Sequence, residues 1–281
     1  MNNDEKYNTV ISSMREFTYK WQPENYDDPS KPILKITKSS LGSFDWCPKK
    51  YEFSYRQRLP QDQTEAMLKG TILHNHREDF FNIFDLKKAE KMNNSEVLEY
   101  CTSLMPVDDY YDISLTVASL EAQRYIEART ENKIEEFLPV CNEGKFDAEI
   151  TIPANINPKF PLQRDYVIHI QGIIDRIFKE NGGLEMAFYE LLLLNAPDEV
   201  MIKNGLDPND KVTHWGWYYP AANYIYAEPR KTRSMTSVMN NIAKLIHHYE
   251  RNTFPAKFFY KTCAHCSFFG ICDEAQEDTW V

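Results

Sequence analysis

The chain of 281 residues lacks several things that would have set its class at once. No stretch approaches the roughly 18 to 20 uninterrupted apolar residues of a membrane span. Its opening, M-N-N-D-E-K, has neither the basic start nor the apolar core of a secretory signal. It also lacks a basic surplus: 32 Lys and Arg stand against 42 Asp and Glu, for a net charge of -10. That balance argues against an unspecific polyanion binder. Internal repeats and low-complexity tracts are absent too. The expectation is a cytoplasmic protein without a membrane partner. A nucleic-acid enzyme stays open if its basic residues are local and some of its carboxylates hold metal. Lys49, Lys50, Arg56 and Arg58 form one local patch, and Arg230, Lys231 and Arg233 another.

At 42% hydrophobic residues, the chain can bury a sizeable core, read as one domain with insertions. Its six cysteines, without secretion, are thiols or metal ligands rather than a disulfide framework. Four of them form a pattern. Cys47 stands near the N-terminus, and Cys263, Cys266 and Cys272 close the chain in C-A-H-C-S-F-F-G-I-C. A C-x2-C-x5-C run with a distant fourth cysteine suits a metal centre that ties two ends of a domain together, an iron-sulfur cluster or tetrahedral zinc. Cys101 and Cys141 fit no motif and read as ordinary thiols.

Residues 1–36 are polar and Pro/Asp-rich toward their end, and read as an N-terminal arm. The domain is expected over 37–281. Thr37 to Ser40 followed by L-G-S-F-D-W-C-P predicts a Ser-capped helix with Leu41, Phe44 and Tyr51 on one face. Further helices are expected over Met67 to Phe84, Ser114 to Phe137 and Met235 to Tyr249. T-H-W-G-W-Y-Y-P-A-A-N-Y-I-Y-A reads as an aromatic helix despite Pro220. Strands are expected over Glu149 to Ile152, Tyr166 to Phe178 and Leu184 to Leu194. The Asn-Gly-Gly step between the last two predicts a tight hairpin. With Gly182 and Gly183 at its centre, Asp175 lies opposite Glu190, each seven residues from its end of the turn. Two facing carboxylates repel unless a cation lies between them. A divalent ion such as Mg2+ or Mn2+ suits oxygen ligands and can activate water against a phosphodiester.

Five motifs follow one another along the chain: S-x-L-x-x-F-x-x-C-P-x-K-Y from Ser39 to Tyr51, G-T-I-L-H ending at His74, G-I-I-D-R-I with Asp175, Y-E-L-L with Glu190, and the closing cysteine run. Their order resembles the PD-(D/E)xK nuclease superfamily, in its RecB-like branch with an iron-sulfur cluster, which includes the CRISPR adaptation exonuclease and the AddB nuclease domain. The resemblance covers residues from about 38 to 273. It implies an α/β fold: a restriction-endonuclease-like core with a central mixed sheet flanked by helices, a helical insertion at about 85–145, and an iron-sulfur clip at about 254–275. The implied activity is metal-dependent DNA hydrolysis, in the manner of an exonuclease, in DNA repair or CRISPR adaptation. His74, Asp175 and Glu190 would hold Mg2+ or Mn2+, with Glu78 as a secondary candidate. Cys47, Cys263, Cys266 and Cys272 would hold a structural [4Fe-4S] cluster. His214 and Tyr218 keep the i, i+4 spacing of the family's Q-x-x-x-Y and would touch substrate. DNA is the implied partner, in single-stranded form if the surrounding rings stack on bases, with a helicase or nuclease-complex subunit as a further partner.

One position departs from the pattern. The motif lysine would stand at 192, and this chain has Leu192. A lysine there orients water and stabilises charge on the phosphate, a contribution of about 3 kcal/mol or more. Lys179, Lys203 and Lys211 are the neighbouring candidates to replace it. The alternative is a degenerate nuclease fold that serves as a DNA-binding or assembly subunit. Other D/E-x-K patterns, Glu143-Lys145 among them, do not follow a G-x-x-D strand.

Overall fold

The computed structural model describes residues 21–61, 65–177, 187–219, 224–229 and 232–276. Its centre is a three-stranded sheet in the order β1-β3-β2, built from β1 (Leu34–Thr37), β2 (Cys141–Ile152) and β3 (Tyr166–Ile177). β2 and β3 run antiparallel, from Cys141↔Ile177 to Ile152↔Tyr166, while β1 lies parallel to β3, from Leu34↔Ile168 to Thr37↔Gln171. Alternation sets the faces. Phe146, Ala148, Ile150 and Ile152 are buried, and Lys145, Asp147, Glu149 and Thr151 between them are exposed, as in a sheet with one covered face.

A separate antiparallel pair follows: β4 (His214–Tyr219) and β5 (Tyr224–Pro229), with Trp217 across from Tyr226. This corrects the aromatic helix expected there. Trp, Tyr and Ile favour the extended backbone, and Pro220 can neither donate in a helix nor fit beneath the preceding turn. His214 and Tyr218 therefore lie about 13 Å apart along a strand rather than one helical turn apart.

The main helices are α1 (Lys38–Trp46), α2 (Glu65–Ile83), α3 (Asn94–Ser103), α4 (Tyr111–Thr130), α5 (Ala187–Asn195), α6 (Asp198–Lys203) and α7 (Thr232–Glu250). α1 begins in a capping box whose N-cap is Thr37 rather than a serine. The Thr37 side chain accepts from the Ser40 amide at 3.2 Å, and the Ser40 hydroxyl accepts from the Thr37 amide at 2.9 Å. Cys47 ends α1 in extended backbone, and Pro48 opens the next helical turn, Pro48–Tyr51. Leu41, Phe44 and Tyr51 are buried together with the sheet's inner face, α5 and α7.

α5 corrects the third strand. Residues 187–195 are helical, and Lys179 and the hairpin step at 181–183 lie outside the described residues. A short apolar run does not declare its own period; here Ala, Glu and four consecutive leucines favour the helix. Glu190 thus belongs to a helix, not to a strand beside Asp175.

A second apolar cluster, with Phe80, Phe84, Val97, Val117, Tyr125 and Phe137, lies among α2, α3 and α4. The stretch read as the end of an arm is packed from Trp21 on: Trp21 bridges to Leu34 and stacks on Tyr249 at 4.5 Å.

Candidate metal centre

Three side chains from three elements converge where α2 crosses the end of the β2–β3 ladder. His74 of α2 places Nε2 3.0 Å from Glu143 Oε1 and Nδ1 3.6 Å from Asp175 Oδ2. One ligand atom from each of the three lies within 4.8 Å of the others. The ladder explains how the two acids meet. Asn142 pairs with Arg176 and Gly144 with Ile174, which sets Glu143 directly across from Asp175. Glu143 itself drops out of the pairing because its φ is +56°, a left-handed conformation that costs a non-glycine residue of order 1 kcal/mol. The next residue is glycine, and a Cβ on Gly144 would collide with Cys141 Sγ and meet the Phe146 ring at 2.6 Å. The strand is bent at the point where its carboxylate reaches the histidine.

The charges hold one another. Hydrogen bonds to Asp175 and then Glu143 raise the His74 pKa to about 10 against the cost of burial. Burial pushes the Asp175 carboxyl up, but His74, with help from Arg176 and Lys38, brings it below its usual value. Its side chain is 61% exposed, so solvent screens part of that effect. Without a metal, the site is a histidine cation between two carboxylates. With one, the same three donors are two oxygens and a nitrogen, a set suited to Mg2+ or Mn2+.

Buried charge steadies α2 behind this group. Glu121 of α4, wholly buried, binds Arg77 at 3.0 Å and also Arg124. Arg77 follows His74 by three residues and so shares its helix face. Arg176, next to Asp175, is 5% exposed and stands over the Phe81 ring at 5.3 Å. Burial and then the neighbouring Arg77 lower its pKa to about 10.

Of the residues singled out in the sequence, His74 and Asp175 come together and Glu190 does not join them. Glu190 is fully buried on α5. Leu192 is likewise at 0% exposure and packs over Gly172, where a Cβ would meet Leu192 at 3.2 Å and the Tyr189 ring at 3.0 Å. Lys203 ends α6 and Lys211 follows it, ahead of β4. Glu78 is not among the three metal-ligand candidates, and His214 and Tyr218 lie on β4. His76 turns away to Ser114 Oγ at 2.6 Å and Asp108 at 3.0 Å. Glu143 is the residue that sequence reasoning passed over. Its signal was present, as the acid of an E-x-K step in the strand before G-I-I-D-R-I rather than after it.

The cysteines meet elsewhere. Cys47, Cys263, Cys266 and Cys272 line one pocket, together with Lys49, Phe53 and Phe268. The amide of Lys257 donates to Cys47 Sγ at 3.4 Å. Among the described residues no three cysteine sulfurs come within 4.8 Å of one another. Sulfurs on a single tetrahedral zinc would stand about 3.8 Å apart, given a Zn–S bond of about 2.3 Å. Cys101 and Cys141 are buried and do not line this pocket, and burial pushes their thiols up to about 12 and about 11.

Comparison with known proteins gives one result on this site. No curated protein and no solved structure matches the chain. A family profile does, over residues 35–191, which contain all of β1 but Leu34, as well as α1, His74, Glu143, Asp175 and Glu190. With more than half its length matched, the chain belongs to the PD-(D/E)XK nuclease superfamily.

Proposed function

We propose that this protein is a metal-dependent DNA nuclease whose divalent ion is held by His74, Glu143 and Asp175. The observation that carries the reading is the convergence of these three side chains on ligand atoms within 4.8 Å of one another. The superfamily generally comprises nucleases that use divalent metals. Glu143 takes the role of second acid in place of Glu190 because it stands across from Asp175, whereas Glu190 is buried on α5. When bound, the ion supplies Lewis acidity to the phosphodiester and lowers the pKa of the attacking water. To accept it, His74 gives up the proton that the two carboxylates hold on it, and Glu143 and Asp175 exchange a shared cation for the metal. Glu121, through Arg77, keeps α2 and therefore His74 in register with the acids. Digestion from an end and a single-stranded substrate are the finer form of this proposal, drawn from the resemblance to the RecB-like branch.

The four cysteines fit a [4Fe-4S] cluster. The donor set is right, the four residues line one pocket, and the Lys257 amide donates to Cys47 Sγ. Such a cluster would clip the turn after α1 to the C-terminal segment and stabilise the fold outright.

The second reading is a DNA-binding subunit that does not cut. Leu192 favours it, because the motif position is occupied by a core leucine. Digestion of labelled single- and double-stranded DNA with Mn2+ or Mg2+, comparing the wild type with Asp175→Ala, separates the two. The nuclease reading expects metal-dependent cutting that Asp175→Ala loses by about 100-fold or more. Equal degradation by both proteins would sink it.

A further inference from the structure

A phosphodiester at the His74–Glu143–Asp175 group brings negative charge toward two carboxylates, and Leu192 offers no cation to offset it. The chain must find one on another element. Two cations stand on elements that border this part of β3: Arg176, the residue after Asp175, and Lys38, the first residue of α1 where β1 leaves the sheet. Arg176 is 5% exposed, lies against Phe81 beneath α2, and as the next residue on β3 points to the opposite strand face from Asp175. It is sealed from a ligand arriving from solvent.

Lys38 is placed differently. β1 pairs with β3 only as far as Thr37↔Gln171. There the capping box turns the chain into α1, and from Gly172 to Asp175 the described residues put no strand on that side of β3. Lys38 is the first residue past the turn, half-buried, at the mouth of that gap. Its ammonium lies 5.2 Å from the centroid of the Tyr189 ring. That ring lies close over residue 172, which is glycine, so the ring and the lysine are drawn to the strand that carries Asp175. A cation at the first position of a helix opposes the helix dipole, and the first turn of α1 has no acid to compensate it. Helix formation does not ask for a lysine here.

We propose that Lys38 is the catalytic cation of this site, its ammonium contacting a non-bridging oxygen of the scissile phosphodiester, in the role that Leu192 cannot fill. The inference rests on the nuclease reading above. In the step it serves, the oxygen of water bonds to phosphorus while the bond from phosphorus to the leaving sugar oxygen breaks. The proton lost by water passes to solvent and the leaving oxygen takes one up. Lys38 keeps its protons throughout and offsets the charge that gathers on the phosphoryl oxygens.

The test compares wild type, Lys38→Met, Lys38→Arg and Asp175→Ala in single-turnover cleavage of a labelled single-stranded oligonucleotide with Mn2+. The same oligonucleotide is also run with a phosphorothioate at the scissile position, and Mn2+ affinity and urea midpoints are measured for each protein. Lys38→Met should cut about 100-fold more slowly, with Mn2+ affinity and urea midpoint held near wild type. Lys38→Arg should recover at least a tenth of the wild-type rate. Sulfur substitution should slow Lys38→Met less than it slows the wild type, because the contact it weakens is already gone. Wild-type cleavage by Lys38→Met beside an inactive Asp175→Ala overturns the role of Lys38 and leaves the nuclease reading intact. Loss of Mn2+ binding or stability in step with activity also overturns it, in favour of a structural role. Cleavage by wild type no faster than by Asp175→Ala removes the nuclease reading, and this proposal with it.

Discussion

At neutral pH and without metal, His74 is a cation clamped between Glu143 and Asp175, and its stabilising effect has a definite pH window. Its pKa rises from the ordinary 6.5 to about 10 on folding, so the contribution is complete below pH 6.5 and fades as pH climbs toward 10. Asp175, whose pKa falls below its usual 3.8, contributes above that value and loses its contribution as the solution is acidified. In the presence of a chelator, the gap between the urea midpoints of wild type and His74→Gln should therefore be widest near pH 6 and narrow steadily toward pH 10. Metal binding should run the other way, tightening between pH 7 and 9 in a Mn2+ titration, because the ion competes with the proton on His74. Glu143 gives a second prediction. Its φ of +56° suits glycine, so Glu143→Gly should be about 1 kcal/mol more stable than Glu143→Ala in urea, while both lose Mn2+ affinity. A residue held in strain at the cost of stability is accounted for by what its carboxylate does.

Among the elements, α5 changes the meaning of the missing lysine. If residues 187–195 formed a strand, Leu192 would face the metal beside Glu190, and restoring lysine there would restore chemistry. On the helix, Leu192 lies at 0% exposure against Gly172. Leu192→Lys should place an uncompensated charge in the core and lower stability by about 3 kcal/mol or more, read as a shift in urea midpoint, without raising cleavage. Sequence reasoning reached α1, α2, α4, α7 and β3 because their periods, caps and flanking prolines are local signals. It missed α5 and the β4–β5 pair because a run of leucines fits either period and an aromatic run is decided by what it packs against. β2 was read from Glu149 and begins at Cys141. Its first third, Cys141-Asn142-Glu143-Gly144, does not alternate, and the bend that hides the strand is also what delivers Glu143.

Over the whole molecule, the cysteine pocket brings the turn after α1, at residue 47, together with residues 263–272. Cys47→Ser or Cys272→Ser, purified anaerobically, should lose the broad visible absorption and the iron content expected of the wild type. Each should also lower the melting temperature by several degrees, as removal of a structural metal site does. A colourless wild type rich in zinc would contradict the cluster. The acidic net charge of -10 bears on the same scale: DNA affinity should depend on local cations such as Lys49, Lys50 and Lys257 beside the pocket, and fall steeply with added salt.

The sequence by itself determined the residue types and their order: the cysteine spacing, His74 after a glycine, Asp175 at the end of an apolar strand, and a leucine where a lysine was expected. These are statements about single residues and short spacings, which a linear chain carries in full. Which acid stands across from Asp175 was settled by the register of β2 on β3, and which lysine flanks it by where β1 stops and α1 begins. Both are pairings between segments more than 30 residues apart, so they follow from how the strands fit rather than from any local pattern.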